Sequence, residues 1–452
     1  MSATLPTVKA ANAQAPIRTS EPFPVSRARL QVWGVKSALS LVDQALTSAA
    51  SFGVNIFLAR WITANSYGAF VVAFSGYLFA SGFHNVLLLE PLSVIGPARY
   101  KSKISAYFHA QLAVHAALVL PLSAATILGS FVIWQLAPHS PLVGAVLGAG
   151  LALPGLLLLW LVRRMCYVMQ QPMTAVIGSG FYLLFVLAGV WILRYFGRVT
   201  PFAAFLLMGG GSFVAAWILL RALALSRQHS TAIAWRVQLR ENWNYGRWLL
   251  GSTLLYAASS QAQTFFVAAF LGLGVAGILR AMQIPSLVML QLITAAGLLV
   301  LPSLSYDYGA GEFDRLRRKA RFVSLVLTIM TVCFACVLAV FAHRAEHLLF
   351  GGKYAADVWL MPVLALIPVA NAVSMGSSMY LRASQQPHFD LISNAVAAPI
   401  AVVSALLLIR WWGLAGAAAS MVFSFVALSV MTFVCFGSYL NSRAAVTVAT
   451  GE

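Results

Sequence analysis

Four ionisable side chains, Asp43, His84, Glu90 and Arg280, fall inside long apolar runs of the sequence. A charge at the centre of a bilayer costs about 2.5–3.5 kcal/mol on insertion scales, so a titratable group placed there is first of all a candidate for binding or ion transfer. Asp43 is the carboxylate deepest in an apolar run, on a helix face with Ser40, Thr47, Ser51 and Asn55, and with Gln44 and Ser48 beside it. Such a carboxylate can take up and release a proton if its site opens alternately to either side. Gln44 and Thr47 add the oxygens that a Na⁺ shell needs, so Asp43, Gln44 and Thr47 form a candidate ion-coupling set for either H⁺ or Na⁺. Arg280 shares a helical face with Gln283, Gln291 and Thr294, and Gln261 and Gln263 lie close by on the preceding run. These groups face a cavity or bond to one another across helices. Glu90, beside Pro91 and ten residues before Tyr100, is a gate candidate or an interfacial partner for Arg99 or a nearby lysine. His84 reads as a hydrogen-bonded packing group, with Asn85 next to it as a further polar contact.

Nothing in the chain points to catalysis. The loops expected on the outer side offer only Glu346 and Asp357 as acids, too few for glycosyl transfer, and no glycine-rich phosphate loop of the Walker or Rossmann type is present. No cofactor or metal is expected. Cys166, Cys333, Cys336 and Cys435 lie in apolar runs or at a basic helix end, so the spacing of Cys333 and Cys336 reads as packing by small residues.

The elements that must hold these groups are membrane spans. The chain of 452 residues is 61% hydrophobic and 9% charged, far from the roughly 25% charge of soluble domains. Runs of about 20 apolar residues each suffice to cross a bilayer. Twelve are expected, at 36–60, 68–93, 108–134, 143–163, 174–195, 202–224, 246–270, 275–303, 321–343, 357–382, 390–409 and 414–438. The expected organisation is a disordered tail 1–35, a six-helix lobe 36–224, an amphipathic linker 225–245, a second six-helix lobe 246–438 and a tail 439–452. Two halves are indicated by an offset of 209, which pairs Phe57, Ala59 and Gly68 with Phe266, Ala268 and Gly277, and the stripe Asp43, Thr47, Ser51, Asn55 with Ser252, Tyr256, Ser260, Thr264. A second echo is Gln170-Gln171-Pro172 before span five against Gln385-Gln386-Pro387 before span eleven, each proline marking a fresh helix start.

The net charge of +18 invites a nucleic-acid partner, and placing the basic residues removes that reading. With both termini cytoplasmic, 22 of 29 Lys and Arg fall on the inner side, among them Arg163 and Arg164, six fall outside, and Arg280 alone stays within a span. That is the positive-inside bias, with contact to anionic lipids. It sets the orientation of a multi-pass membrane protein, with the Arg315–Arg321 loop inside and the Gly351-Gly352-Lys353-Tyr354 loop outside. Trp235, Val237, Leu239 and Trp243 among Arg236, Arg240 and Arg247 read as a basic amphipathic segment on the inner surface, and Asp314 and Arg318 as an i,i+4 pair.

The segments NIFLARWITANSYGAF, LLEPLSVIGPARY and LLFGGKYAADVWLMPVLALIP, with the paired Tyr-x-x-Gln-Gln-Pro and Gln-Gln-Pro turns, resemble Wzx-like polysaccharide flippases of the MOP (MATE-related) superfamily over nearly the whole chain from Lys36. The resemblance implies an all-α bundle of twelve helices in two six-helix repeats forming a V around a central polar cavity. It implies alternating-access transfer of an undecaprenyl-diphosphate-linked oligosaccharide for exopolysaccharide, capsule or O-antigen synthesis, driven by a cation gradient and without ATP. Amides and hydroxyls would then replace water around the sugar, Arg280 would meet the diphosphate, and Arg99 would stand at the entrance. Asn85, Gln261, Gln263, Gln283 and Gln291 complete the candidate substrate set. Lipids, the lipid-linked substrate and other polysaccharide-assembly proteins are the expected partners. Two other readings stay open: a MATE-like exporter of small cations with Asp43 as counter-ion, and a non-transporting scaffold of a polysaccharide synthase.

Overall fold

The computed structural model describes residues 27–224, 233–384, 386 and 388–450. Its regular elements are helical throughout: α1 Arg27–Trp61, α2 Ala64–His84, α3 Glu90–Arg99, α4 Ile104–Leu136, α5 Pro141–Val168, α6 Pro172–Tyr195, α7 Pro201–Ala222, α8 Trp235–Leu271, α9 Leu273–Gly309, α10 Phe313–Phe350, α11 Leu360–Leu364, α12 Leu366–Ala383 and α13 His388–Thr450. Helix starts follow local chemistry. Proline opens α5, α6 and α7 where its missing N–H costs nothing, and the hydroxyls of Thr63, Ser140 and Thr200 accept from the first free amides of α2, α5 and α7. The two Gln-Gln-Pro turns close alike: Gln171 N donates to Cys166 O at 2.9 Å and Gln386 N to Leu381 O at 3.0 Å. Gln385 and Pro387 lie outside the described residues.

Ten helical stretches among the described residues are long and apolar enough to cross a membrane. The last, Leu391–Ser442, has 52 residues and would measure about 78 Å if straight, more than two hydrocarbon cores. It is instead folded back at Gly413, whose φ of +55° and ψ of −128° suit only glycine. Ser393 meets Cys435 at 3.4 Å and Phe389 meets Tyr439 at 6.0 Å between ring centres, so the two arms run antiparallel. With α8, helical across the seventh expected span, each of the twelve expected spans coincides with helix. The protein is an all-α, multi-pass membrane protein.

Packing divides the helices into two sets. α1 lies on α6, α5 on α4 and α7, and α2 on α5, while α12 lies on α9, α10 and α13, and α8 on α13. The sets meet chiefly where α2 crosses α9. A Cβ on Gly68 would sit 1.6 Å from the Leu273 carbonyl oxygen, and one on Gly277 would sit 2.5 Å from that of Ala64. Positions 64 and 273, and 68 and 277, are equivalent under the sequence offset of 209, so the second contact is the first with the two halves exchanged. At this crossing the halves therefore touch in the reciprocal manner of a two-fold contact.

Several expected boundaries move. Residues 27–35 are helical and continuous with the first span, so they are not part of a disordered tail, and α13 continues through the expected tail to Thr450. Residues 225–232 of the expected linker lie outside the described residues, and from Trp235 onward the chain is already α8. The reason is a buried polar face: Gln238 and Asn242, one turn apart, are both fully buried against the first set. Val237 and Trp243 stay exposed, as the amphipathic reading required. In the α9–α10 turn, Lys319 pairs with Asp307 at 2.6 Å, and Arg315 pairs with Glu312 at 3.0 Å and with Asp307 at 3.9 Å; the ion pairs of this turn are these and not the expected Asp314 with Arg318.

Candidate functional site

The polar stripe of α1 faces α5 and α6, and its centre is Asp43, 1% exposed. The Nη2 of Arg163 donates to Asp43 Oδ2 at 2.5 Å, the hydroxyl of Tyr167 donates to the same oxygen, and the hydroxyl of Ser179 donates to Oδ1. Arg163 and Tyr167 are four apart on α5, hence on one face, and Ser179 comes from α6. Thr47 donates its hydroxyl to the Asp43 backbone carbonyl at 2.8 Å and lies 3.4 Å from Ser179 Oγ. Gln44 is half-buried and is not among the groups bonded to the carboxylate. Of the expected coupling set, the structure thus brings Asp43 and Thr47 together and leaves Gln44 aside.

Arg163 is the residue that sequence reasoning misplaced. Counted with Arg164 as a cytoplasmic doublet, it is 4% exposed, with its guanidinium 4.9 Å from the Trp160 ring centre and its Nε and Nη1 without a hydrogen-bond partner. Arg280 is therefore not the sole cation inside the bundle. The signal was available: a carboxylate in hydrocarbon demands a cation, and Arg163 lies one turn before Tyr167 among Leu161, Val162, Met165 and Cys166.

The second polar region sits beneath the α2–α9 crossing. Half-buried Arg280 donates from Nη1 to Gln283 Oε1 at 3.3 Å, a neutral partner. Across the crossing, the Tyr67 hydroxyl donates to Asn55 Oδ1 at 3.0 Å, and Tyr67 lies close enough to Arg280 to interact with its charge. Gln291 is exposed, three turns along the same face of α9.

The remaining expected substrate residues lie elsewhere. Gln263, 6% exposed, donates to Ser424 Oγ at 3.0 Å and is taken up in packing α8 on α13; Gln261 is half-buried on the same helix. Asn85 opens a π-helical turn, Asn85–Leu89, whose i,i+5 geometry lets its Nδ2 donate to Glu90 Oε1 at 3.4 Å. Glu90 is thus met by Asn85, and Arg99, largely exposed, instead lies 3.8 Å from Glu241 on α8. Arg99 and Glu241 border a cleft of about 450 Å³ with Asn244 and Tyr245.

Two further clusters gather polar residues, and of these the sequence singled out His84, as a hydrogen-bonded packing group, without its partner. His84 and His115 meet at 3.0 Å, both buried. Gln111 of α4 and Asn242 of α8 exchange amide hydrogen bonds at 2.9 and 3.2 Å, with Gln238 and Tyr107 adding bonds at 2.9 Å. The Tyr100 hydroxyl donates to Glu241 at 2.9 Å, and its pKa is raised by burial and then by that carboxylate. The histidines are 31 residues apart, and Gln111 and Tyr100 find their α8 partners more than a hundred residues away.

No protein-family profile matches the chain, and no curated protein matches it in sequence. Solved structures match its fold. An inward-facing multidrug resistance MATE family transporter of the MOP superfamily superposes with a TM-score of 0.73 at 12% identity, over 89% of this chain and 98% of that one. The lipid II flippase MurJ in an inward closed conformation gives 0.70 at 10% identity, over 88% and 87%. A MOP superfamily transporter from Pyrococcus furiosus, described by a reversed polarity of its binding pocket, gives 0.62 at 13% identity, over 90% and 95%. The structural neighbours thus include two transporters of the MOP superfamily and a lipid II flippase.

Proposed function

We propose that this protein is a transporter that flips an undecaprenyl-diphosphate-linked oligosaccharide from the cytoplasmic to the periplasmic leaflet of a bacterial inner membrane, with both termini cytoplasmic. The observation that carries the reading is how the buried charges are spent. Asp43 gives its charge to Arg163 inside one set of helices, whereas Arg280, at the crossing between the sets, is bonded to a neutral glutamine. The face between the sets is therefore positive, which suits a diphosphate and opposes a small cation. Arg280, Gln283 and Gln291 on α9 are the proposed contacts, the guanidinium for phosphate oxygens and the amides for sugar hydroxyls. Gln263 is engaged in packing, and Arg99 stands at the proposed cytoplasmic entrance.

Coupling is assigned to the Asp43 cluster. A proton or Na⁺ arriving there competes with the Arg163 guanidinium for the same carboxylate, so ion binding and breaking of the pair are one event. Rearrangement of α1 against α5 and α6 follows from it. The test in cells is deletion of the protein followed by assay of lipid-linked oligosaccharide in each leaflet: accumulation on the cytoplasmic side supports the reading, and an unchanged distribution removes it. Loss of tolerance to organic cations with normal lipid-linked sugar would favour the exporter, the reading to which the MATE likeness also lends support.

A further inference from the structure

The loop Gly351-Gly352-Lys353-Tyr354 follows α10 at the end of the bundle where α1 ends and α2 begins, and the transport reading leaves it without a role. Its two glycines have φ of +74° and +84°, the left-handed region, so the chain turns back sharply and carries Lys353 across to the other helix set. There Lys353 Nζ donates to the carbonyl of Ala59 at 2.7 Å and to that of Ile62, at the end of α1. The Tyr354 hydroxyl donates to Ala59 O at 2.9 Å, and its backbone N–H is fixed by Glu346 Oε1 at 2.8 Å, a carboxylate only 1% exposed. In the opposite sense, Arg60 at the end of α1 donates from Nη1 to Leu348 O in the last turn of α10 at 3.0 Å. Each set thus supplies a cation to the other's helix C-terminus, where carbonyls lack intrahelical partners and the dipole is negative.

These bonds differ from an ion pair in a way that suits a reversible contact. Lys353 and Arg60 meet backbone carbonyls, which water can satisfy when the contact opens, so separation strands no buried charge. The same end holds the Gly68–Gly277 crossing, where the helices touch backbone to backbone. The interlobe site lies just beneath it: Gln283 is six residues, about 9 Å of helix, deeper than Gly277.

We propose that Lys353, Tyr354 and Arg60 form a latch that holds the far end of the bundle shut, with Gly68 and Gly277 as the seam it closes, and that its release admits the outer side to the interlobe site. The latch rests on the transport reading for its purpose but not for its test. In a background with exposed Cys333 and Cys336 changed to serine, Gln283→Cys reports access from the outside to a membrane-impermeant maleimide, while buried Cys166 reports unfolding. With the latch intact, Gln283→Cys should label slowly in spheroplasts. Adding Arg60→Gln and Lys353→Gln should speed labelling at least tenfold while Cys166 stays unreactive. If that double variant exposes Cys166, the milder Lys353→Met with Arg60 retained decides by the same criterion. Equal labelling rates with and without the latch residues would overturn the proposal, whether or not lipid is flipped. Faster labelling, together with a failure of the native protein, with Gln283 in place, to flip lipid-linked sugar, would keep the latch and remove the transport reading.

Discussion

Replacing Arg163 by methionine keeps the stem of the side chain and removes the charge bonded to Asp43. Asp43 and Arg163 are 1% and 4% exposed, so neither can recover water when its partner is lost. Breaking a buried pair from one side costs about 3–5 kcal/mol, against about 0–1 kcal/mol for a surface pair. The Tyr167 and Ser179 hydroxyls still bond to the carboxylate, which places Arg163→Met near the lower figure, about 3 kcal/mol. At 1.4 kcal/mol per factor of ten, the buried Cys166, three residues along α5, should react with a thiol reagent in detergent about 100-fold faster. Asp43→Leu strands the guanidinium and should cost a similar amount. The double variant Asp43→Leu, Arg163→Met removes both charges and should return to within about 1 kcal/mol of the native protein, giving a coupling energy of several kcal/mol in the double-mutant cycle. Single variants that each change the rate less than tenfold, with a double variant equal to their product, would show that the pair is not the buried linkage described.

Asp43→Asn should leave substrate binding largely intact and stop gradient-driven accumulation in proteoliposomes; a wild-type rate with the same response to an imposed ion gradient would make Asp43 a packing residue. Gly413→Ala forces a side chain into a backbone region reserved for glycine and should cost about 1–3 kcal/mol, read as a lower midpoint in thermal unfolding. Exposed Ala356→Cys and Arg317→Cys should label from opposite sides, Ala356 from the periplasm and Arg317 from the cytoplasm; exchanged sides would reverse the assigned orientation, and labelling of both from one face would remove the crossing by α10.

What was legible in the sequence was the periodic and the repeated. Apolar runs foretold the helices because burial in lipid is a property of each segment alone, and the 209 offset matched Gly68 with Gly277, which the structure brings into contact because both copies keep a small residue where backbones meet. The α1 stripe was legible as polar and inward, since the side chains share one helical face. Its partners were not. Arg163 stood beside Arg164 at a basic helix end, and only the packing of α1 on α5 separates a buried guanidinium from a solvated one. Gln238 and Asn242 misled in the same way: a mixed polar and aromatic stretch reads as surface until Gln111, more than a hundred residues earlier, supplies the bonds that bury it. Helix already begins at 27 and runs on to Thr450, and α8 begins at 235 because Gln238 and Asn242 are buried against the first set.

The central claim is that the face between the two helix sets carries an anionic lipid-linked sugar past Arg280. Purified protein reconstituted in liposomes with a fluorescent undecaprenyl-diphosphate-linked oligosaccharide allows transfer between leaflets to be followed by quenching from one side. Native protein should transfer the lipid, Arg280→Ala should abolish transfer while folding and inserting normally, and Arg280→Lys should recover part of it, keeping the charge without the guanidinium fork. Native protein that leaves the lipid in its leaflet, or an alanine variant that transfers it at the native rate, would contradict the account.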